Sequence, residues 1–534
     1  TTMSVAQIVY SLANSMQWLT GGAMGVKDIA KPNIFGIVFE TQAQLYYFIL
    51  VIAILLIIFS VRLTKSKYGR ALKAVRDNPE AVESVGLSVT KLKLMAFLIA
   101  TILGCLVMVI YNLADTYFVG MLNDPVENAA VTLAAPVLLA FNAVNNLFGV
   151  GSSSMMSRAL GKREYETVRR SSAFGFYCAL LSGILFSIGF AALQQPVLNL
   201  LGADAETMAA TSAYLKWTVI CGAVPAILNV VMAYLVRAEG CAIHASIGTM
   251  SGCLLNIVLD PVFIMPWGLG MGAAGAGLAT FISNCVACVY FLVLMFVRRK
   301  RTYISMSPKA LCMEKGIVYG VCGVGIPAAI QNLLNVTGMM VLNNFTASFG
   351  SDAVAAMGIA QKINMVPMYV ALGLSQGIMP LLSYNFGSGN IRRFKAVLWF
   401  CMRVAVAFMA VVSVAYFCGA RWLVTLFMEN ESIVSYGYRF LRGLCLAMPF
   451  LCTDFLAVGV FQACGMGKRA LSFAILRKIV LEIPALFLWN ALCPLYGLAY
   501  AQPTAEIILA AAAMVTLRRL SRELEARKSM LGNG

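Results

Sequence analysis

The chain is poor in charge. Only 12% of its 534 residues are charged, against about 25% in soluble globular proteins, which is too little to cover a water-facing surface. It has a single histidine, His244, so metal binding or acid–base catalysis through imidazole is not expected. It also lacks a G-x-x-x-x-G-K-[ST] loop, so it cannot hydrolyse ATP through a P-loop of its own. These absences exclude a soluble enzyme, and the sequence shows no nucleophile–base or metal constellation for a membrane enzyme either.

What the chain has instead is apolar sequence. Hydrophobic residues make up 60% of it, and runs of about twenty apolar residues recur along nearly its whole length, as membrane-spanning helices require. The net charge of +17 does not indicate a nucleic-acid partner, because the basic residues form short clusters between apolar runs, as cytoplasmic loops do. We therefore predict a multi-pass protein of the inner (plasma) membrane, surrounded by membrane lipid, with no nucleic-acid partner.

From residue 94 onwards the pattern predicts twelve spans. Basic connectors such as 298–301 alternate with neutral or acidic ones such as 204–206, which places both ends of the 94–534 region in the cytoplasm. The predicted spans lie at about 95–119, 129–157, 171–193, 210–236, 243–265, 272–297, 317–347, 354–384, 396–419, 435–462, 470–492 and 495–517.

The second half of this region repeats the first with an offset near 225 residues. The match rests on Gly161 with Gly387, Pro225 with Pro449, and Gly240 with Gly465. Each repeat has an even number of spans, so both halves have the same orientation and a cleft lies between them. We predict an all-α fold of two six-helix lobes, 94–310 and 311–534, related by a pseudo-two-fold axis along the membrane normal. A segment at 1–93, with one clear span at about 45–61, precedes them.

Five carboxylates lie inside predicted spans: Asp115, Asp260, Asp454, Glu482 and Glu506. An ionisable group in a span costs at least about 2.5–3.5 kcal/mol, so each is a candidate functional residue. Asn256 and Asp260 share one helix face at i, i+4 spacing, and Pro261 frees the carbonyl of Ile257. With Asp115 at a similar depth, these groups could hold Na⁺ or a proton.

Each carboxylate also has a purely structural interpretation. Asp115 and Asp260 lie near the outer ends of their spans, where a carboxylate can reach interfacial water. Glu482 and Glu506 can instead pair with a neighbouring base, Arg477 or Lys478.

Several segments together resemble a known family over about four fifths of the chain. They are Tyr111–Gly120, Ser157–Gly161, Arg237–Gly240, Asn256–Ile264, Gly373–Gly377 and Tyr384–Asn390. The region from about residue 98 to the end resembles the multidrug and toxic compound extrusion (MATE) family, in its MepA/DinF-like branch. The resemblance implies an antiporter without cofactor that exports cationic, amphiphilic compounds in exchange for H⁺ or Na⁺.

The resemblance also implies the positions of the ion site. In the family, an N-lobe cation site falls on positions that match Asp115, Asn256, Asp260 and Thr280. Some members use a C-lobe site instead. Its seventh-span position is Asn335 here, and Asp454 is about one residue out of step, so we favour the N-lobe. Asn335, Asp454, Glu482 and Glu506 remain a candidate C-lobe polar or ion site.

The first 97 or so residues resemble a different family. The segments Leu19–Gly25, Lys31–Gly36 and Gly69–Asn78 are similar to the permease subunit of branched-chain amino acid ABC importers, LivM type. In that family the region 69–86 contacts an ATPase subunit, so an ATPase partner is expected only if this segment is functional. The segment lacks the family's opening and closing spans and runs directly into the first MATE-like span. We expect a gene fusion or an assembly error.

Two other functions stay open at this point. An ATP-dependent amino acid importer subunit is supported by the N-terminal segment alone. A flippase for lipid-linked sugars has a related twelve- to fourteen-span design.

Overall fold

The computed structural model describes residues 33–34, 37–38, 58, 62, 66–77, 79–89, 92, 125–201, 207–265, 268–299, 301–425 and 431–532. The first predicted MATE-like span, with Asp115, lies outside these residues, as does almost all of the predicted span at about 45–61. Most of the described chain is helical, as predicted.

The N-terminal segment contributes two short strands and two helices. The strands, β1 (Asn33–Ile34) and β2 (Ile37–Val38), pair antiparallel, a small departure from the all-α prediction. The helices are α1 (Lys67–Asp77) and α2 (Pro79–Ser84). Both helices are too short to span a bilayer, which needs about 20 residues.

The first lobe is built from the helices between residues 125 and 297. They are α3 (Pro125–Asn145), the π-helix π1 (Asn146–Val150), α4 (Gly151–Lys162), α5 (Tyr165–Ala192), α6 (Gln194–Leu200), α7 (Met208–Leu215), π2 (Lys216–Cys221), α8 (Ala223–Ala238), α9 (Ala242–Ile264) and α10 (Gly272–Val297). Their buried apolar residues form one core, which runs from Ala130 to Met295.

The second lobe follows a short 3₁₀ turn at Pro308–Ala310. Its helices are α11 (Lys315–Ala347), α12 (Ser351–Gly387), α13 (Ile391–Thr425), α14 (Glu431–Cys445), α15 (Met448–Ala463), α16 (Gly467–Ile475), π3 (Leu476–Glu482), α17 (Ile483–Leu492) and α18 (Leu498–Gly532). Two clusters of buried residues form its core, and one of them also takes in Val150 and Tyr234 of the first lobe. The lobes are therefore in direct apolar contact.

The described helices match the predicted spans closely. By length and composition, seven can cross a membrane, and up to nine spans result if each of two bent helix pairs counts as one. These nine coincide with predicted spans three to ten and span twelve, while spans two and eleven fall on α3–π1–α4 and α16–π3–α17. Because the first span lies outside the described residues, the count of twelve stays a prediction.

Some helices extend beyond the predicted span ends. The ninth span is predicted at about 396–419, but α13 runs from Ile391 to Thr425, and α18 continues to Gly532. An apolar run marks the thickness of the hydrocarbon core, whereas a helix can continue into headgroups and water, where its lysines and arginines are solvated.

The bent pairs occupy equivalent places in the two lobes, in keeping with the internal repeat. The axis turns by 51° between the helical segment 207–221 and α8, and by 46° between α14 and α15. Pro225 and Pro449, matched in the repeat, lie in the first turns of α8 and α15. Proline has no N–H for the preceding turn and its ring crowds that turn, so a helix bends at such a position.

Close helix packing in the first lobe depends on glycine. A Cβ on Gly248 of α9 would collide with the ring of Phe291, and one on Gly275 of α10 would lie 2.5 Å from the carbonyl oxygen of Phe263. In lipid, helix association relies on such backbone approach, since there is little hydrophobic gain in burying one apolar surface against another. This packing fixes the face of α9 towards α10.

Phe291 is expected to be a main contributor to the stability of the first lobe. It is completely buried, and replacing it by alanine should cost about 3–5 kcal/mol through lost contacts and a residual cavity. Thermal unfolding in detergent, followed by size-exclusion of the remaining monodisperse protein, measures the effect. Phe296→Ala is the matched control, because Phe296 lies on the same helix and is 70% exposed. Equal melting temperatures for the two variants would contradict this description of the core.

Candidate functional site

A stripe of small and polar residues runs along the buried face of α9. Gly248, Gly252, Asn256 and Asp260 follow at four-residue intervals, so they lie on one side of the helix, and all are buried. The two glycines bring the first half of this face against α10, where a Cβ on Gly252 would lie 3.2 Å from that of Ala287. The polar pair is therefore held in the interior of the lobe.

The sequence-predicted residues Asn256 and Thr280 come together across this contact. Asn256 Nδ2 donates a hydrogen bond of 3.3 Å to Thr280 Oγ1 of α10. Asn256 Oδ1 is buried and accepts no hydrogen bond within the part of the chain that the structure describes. Asp260, one helical turn further along, is completely buried. A carboxylate, an amide oxygen and a hydroxyl on adjoining helices are suitable ligands for a small cation or a proton.

A second polar pair continues this arrangement and was missed by the sequence analysis. Asn229 of α8 is buried and donates from Nδ2 to Asn284 Oδ1 of α10 at 2.8 Å. Asn284 lies four residues after Thr280, on the same face of α10. An amide inside an apolar run is the sequence feature that points to this pair.

The C-lobe carboxylates take part in a buried cluster of charges. Arg477 Nε lies 2.6 Å from Glu506 Oε1 of α18 and 3.7 Å from Asp454 Oδ2 of α15. The side chains of Arg477, Asp454 and Glu506 are 3%, 1% and 0% exposed. The guanidinium also lies over the ring of Phe455, 4.8 Å from its centroid.

The neighbouring base, Lys478, pairs with a different carboxylate, that of Glu482. Its Nζ lies 2.7 Å from Glu482 Oε1, and both side chains are buried. Lys478, Glu482 and the neighbouring Arg477 all belong to π3. The i→i+5 hydrogen bonding of a π-helix widens the turn, so that the consecutive side chains of Arg477 and Lys478 can both point inward. The pairing of Glu482 and Glu506 with Lys478 and Arg477 is the structural interpretation that the sequence left open.

Asn335 lies on α11, the helix that packs against Lys478. Lys478 packs against Gly338, where a Cβ would lie 2.9 Å from the lysine Cδ and 3.0 Å from its Nζ. Gly338 is one turn after Asn335. A lysine ammonium thus packs against the helix that carries Asn335, one turn from that residue.

Comparisons with known proteins agree with this architecture. The MatE family profile matches residues 100–262 and 327–488, one stretch in each lobe. The chain is 33% identical over 442 residues to "Multidrug export protein MepA" of Staphylococcus saprophyticus, a match that covers 83% of this chain and 96% of that protein. The protein of the same name from Staphylococcus aureus strain MRSA252 is 32% identical over 441 residues, with the same coverage.

Solved structures show the same fold. One, described as the outward-facing conformation of a multidrug resistance MATE family transporter of the MOP superfamily, superposes with a TM-score of 0.77 at 24% identity. A crystal structure of MATE in complex with MaL6 gives a TM-score of 0.77 at 25% identity. Each match covers 82% of this chain and 97% of the other.

Multi-pass architecture, the two lobes and the sequence matches together define a polytopic membrane transporter fold. The chain belongs to the MatE family. The profile of the permease component of branched-chain amino acid transport systems also matches residues 1–143. The two matches overlap over residues 100–143, so the permease resemblance extends further than the sequence analysis placed it.

Arg477 is expected to be essential for the stability of the second lobe. Arg477→Met would leave Asp454 and Glu506 buried without their cation, which typically costs about 3–5 kcal/mol. The matched control is Arg421→Met, since Arg421 and Glu431 form a pair that is 63% and 75% exposed and such pairs contribute about 0–1 kcal/mol. Thermal unfolding in detergent compares the two variants. The description of the cluster fails if Arg477→Met is as stable as the control.

Proposed function

We propose that the chain is a secondary antiporter of the plasma membrane that exports cationic or amphiphilic compounds in exchange for H⁺ or Na⁺. The observation that carries this proposal is the buried face of α9, with Asp260 and Asn256 against Thr280, in a chain similar to multidrug export proteins along 83% of its length. A buried carboxylate with polar neighbours in a membrane span is the arrangement that ion-coupled transporters use.

The coupling ion binds in the first lobe, at Asp260, Asn256, Thr280 and Asp115. The comparison of the two lobes supports this choice. In the second lobe, Asp454, Glu482 and Glu506 already have Arg477 and Lys478 within 4 Å, so a further cation would have to compete with two tethered ones. The amide and hydroxyl beside the α9 face carry no charge and offer oxygen ligands.

Ion binding drives transport through a difference in affinity between two conformations. Protonation or Na⁺ binding at Asp260 removes a net charge from a site of low dielectric constant, which changes the relative stability of the two states. The two lobes then move against one another, so that the cleft between them opens to one side of the membrane at a time. An exported cation and the coupling ion exchange because each stabilises a different state.

The N-terminal segment has no role in this cycle. Its described helices, α1 and α2, pack through Val75 and Val82 in a small cluster of their own, separate from the cores of both lobes. The permease match supports one alternative, in which the chain is the membrane component of an ATP-dependent amino acid importer. That function would depend on a separate ATPase and on a substrate-binding protein.

Asp260→Asn and Asp115→Asn are each expected to abolish coupled efflux while leaving expression intact, because the amide cannot take up and release a proton or neutralise Na⁺. Ethidium efflux from energised cells measures the effect, with the proton gradient collapsed midway. The matched control is Asp352→Asn, since Asp352 lies at the exposed start of α12 and accepts a hydrogen bond from Ser432.

The same assay separates the alternatives. Efflux that stops when the proton gradient is collapsed identifies H⁺ as the coupling ion, and efflux that continues but requires Na⁺ identifies sodium. Unchanged efflux in the Asp260 variant would remove this residue from the mechanism. A well-inserted protein that moves no organic cation would favour the lipid-linked sugar flippase.

Residues 94–534 alone are expected to transport ethidium at the rate of the full chain, because both lobes lie within this range. Efflux per inserted molecule, normalised by quantitative immunoblotting, compares the two proteins. A loss of activity on removal of residues 1–93, with equal insertion, would assign the N-terminal segment a part in transport.

A further inference from the structure

The two lobes meet through a reciprocal pair of glycines on α4 and α12. A Cβ on Gly161 would collide with the carbonyl oxygen of Tyr384 and would lie 2.8 Å from the amide nitrogen of Ser388. A Cβ on Gly387 would collide with the carbonyl oxygen of Arg158. Each glycine thus lies against the backbone of the other helix. The residue that it meets there is three positions before that helix's own glycine. The helices touch backbone to backbone, an approach that any larger residue would prevent.

This contact lies on the pseudo-two-fold axis of the molecule. Gly161 and Gly387 are matched residues of the internal repeat, and the same is true of Arg158 and Tyr384. A contact between equivalent positions of two repeats must lie at their symmetry axis, which is where the cleft between the lobes closes. Both glycines are at helix ends next to basic connectors, the side of the membrane predicted to be cytoplasmic.

One side chain breaks the symmetry of this contact. Arg158 Nη1 donates to Ser154 Oγ at 2.6 Å and lies 3.5 Å from the carbonyl oxygen of Gln462, which also accepts a hydrogen bond from Ser154. Gln462 is in the last turn of α15, where the helix dipole favours a cation. A first-lobe arginine therefore binds the end of a second-lobe helix.

Glycine makes room for this arginine as well. A Cβ on Gly465, which has φ of +75°, would lie 2.8 Å from Arg158 Nη1. Its repeat partner, Gly240, has open space at the same position, and the residue equivalent to Arg158 is Tyr384. The glycine contact is thus symmetric between the two repeats, whereas the arginine and the site that binds it are present on one side of it only.

Other close contacts between the lobes lie on the same side. A Cβ on Gly151 would collide with the carbonyl oxygen of Val321, and one on Gly325 with that of Leu147. Both glycines lie within about eleven residues of the basic-connector ends of α4 and α11, and so in the inner half of the molecule. Within the part of the chain that is described, the glycine contacts between lobes are confined to that half.

We propose that the crossing of α4 and α12 is the inner gate of the transport cycle, closed in this structure, and that Arg158 is the positioning residue that holds it closed. The proposal rests on the proposed function in that the gate must open once per cycle. Backbone contact at Gly161 and Gly387 lets the lobes close without ordering large side chains. The bond from Arg158 to Gln462 then sets how stable the closed state is.

Double electron–electron resonance tests the gate in the full chain, with its 15 native cysteines replaced. Spin labels at Glu164 and Arg392, exposed residues at the inner ends of the two lobes, report the separation of those ends. Gly161→Ala and Arg158→Gln are expected to move the distance distribution to longer values, while Arg158→Lys keeps the distribution of the parent protein, since its ammonium can still bind the Gln462 carbonyl.

Gly189→Ala is the matched control, because Gly189 is a helical glycine of the same lobe with no atom near its Cβ position. If Gly161→Ala does not fold, the comparison of Arg158→Gln with Arg158→Lys tests the proposal. Unchanged distances in Arg158→Gln would overturn the role of Arg158 in holding the gate closed. Unchanged distances in a folded Gly161→Ala would overturn the gate itself. The measurement needs no transported compound, so longer distances would support the gate even in a chain that exports no ethidium.

Discussion

The cost of placing a carboxylate in a membrane span governs most of this structure. An uncompensated charge there is expensive, so each buried carboxylate needs either a permanent counter-ion or an exchangeable one. In the second lobe, Arg477 and Lys478 supply permanent cations to Asp454, Glu506 and Glu482. In the first lobe, the Asn256 amide and the Thr280 hydroxyl are hydrogen-bonded to each other on the face that carries Asp260. The two lobes thus share one helical plan but place different polar groups beside their buried carboxylates.

Glycine is the second constraint, because both the proposed ion site and the contact between lobes require backbones to approach closely. On α9 the glycines precede the polar pair by one and two turns, so the packing that stabilises the helix also orients Asn256 and Asp260. At the lobe contact, Gly161 and Gly387 let the backbones of two helices touch, an approach that a larger residue would prevent.

Sequence reasoning found a large part of this arrangement. Apolar runs located every span that the structure describes, and the repeat matched Pro225 with Pro449, which the structure places at the two bends. Spacing alone placed Asn256 and Asp260 on one helix face, which the structure shows to be buried. The position of Thr280 came from family resemblance, and the hydrogen bond between Asn229 and Asn284 was missed because the two amides lie on different helices, 55 residues apart. Asp115 stays a prediction, since it lies outside the described residues.

By itself, the sequence determined the membrane environment, the succession of helices and the internal repeat, because these depend on local hydrophobicity and periodicity along the chain. Only the tertiary structure decided which charges are paired. Arg477, Asp454 and Glu506 lie on three different helices, and nothing local distinguishes a carboxylate that faces an arginine from one that faces a cleft. The same holds for Arg158 and Gln462, which are about 300 residues apart in the chain and meet only because the two lobes close on one another.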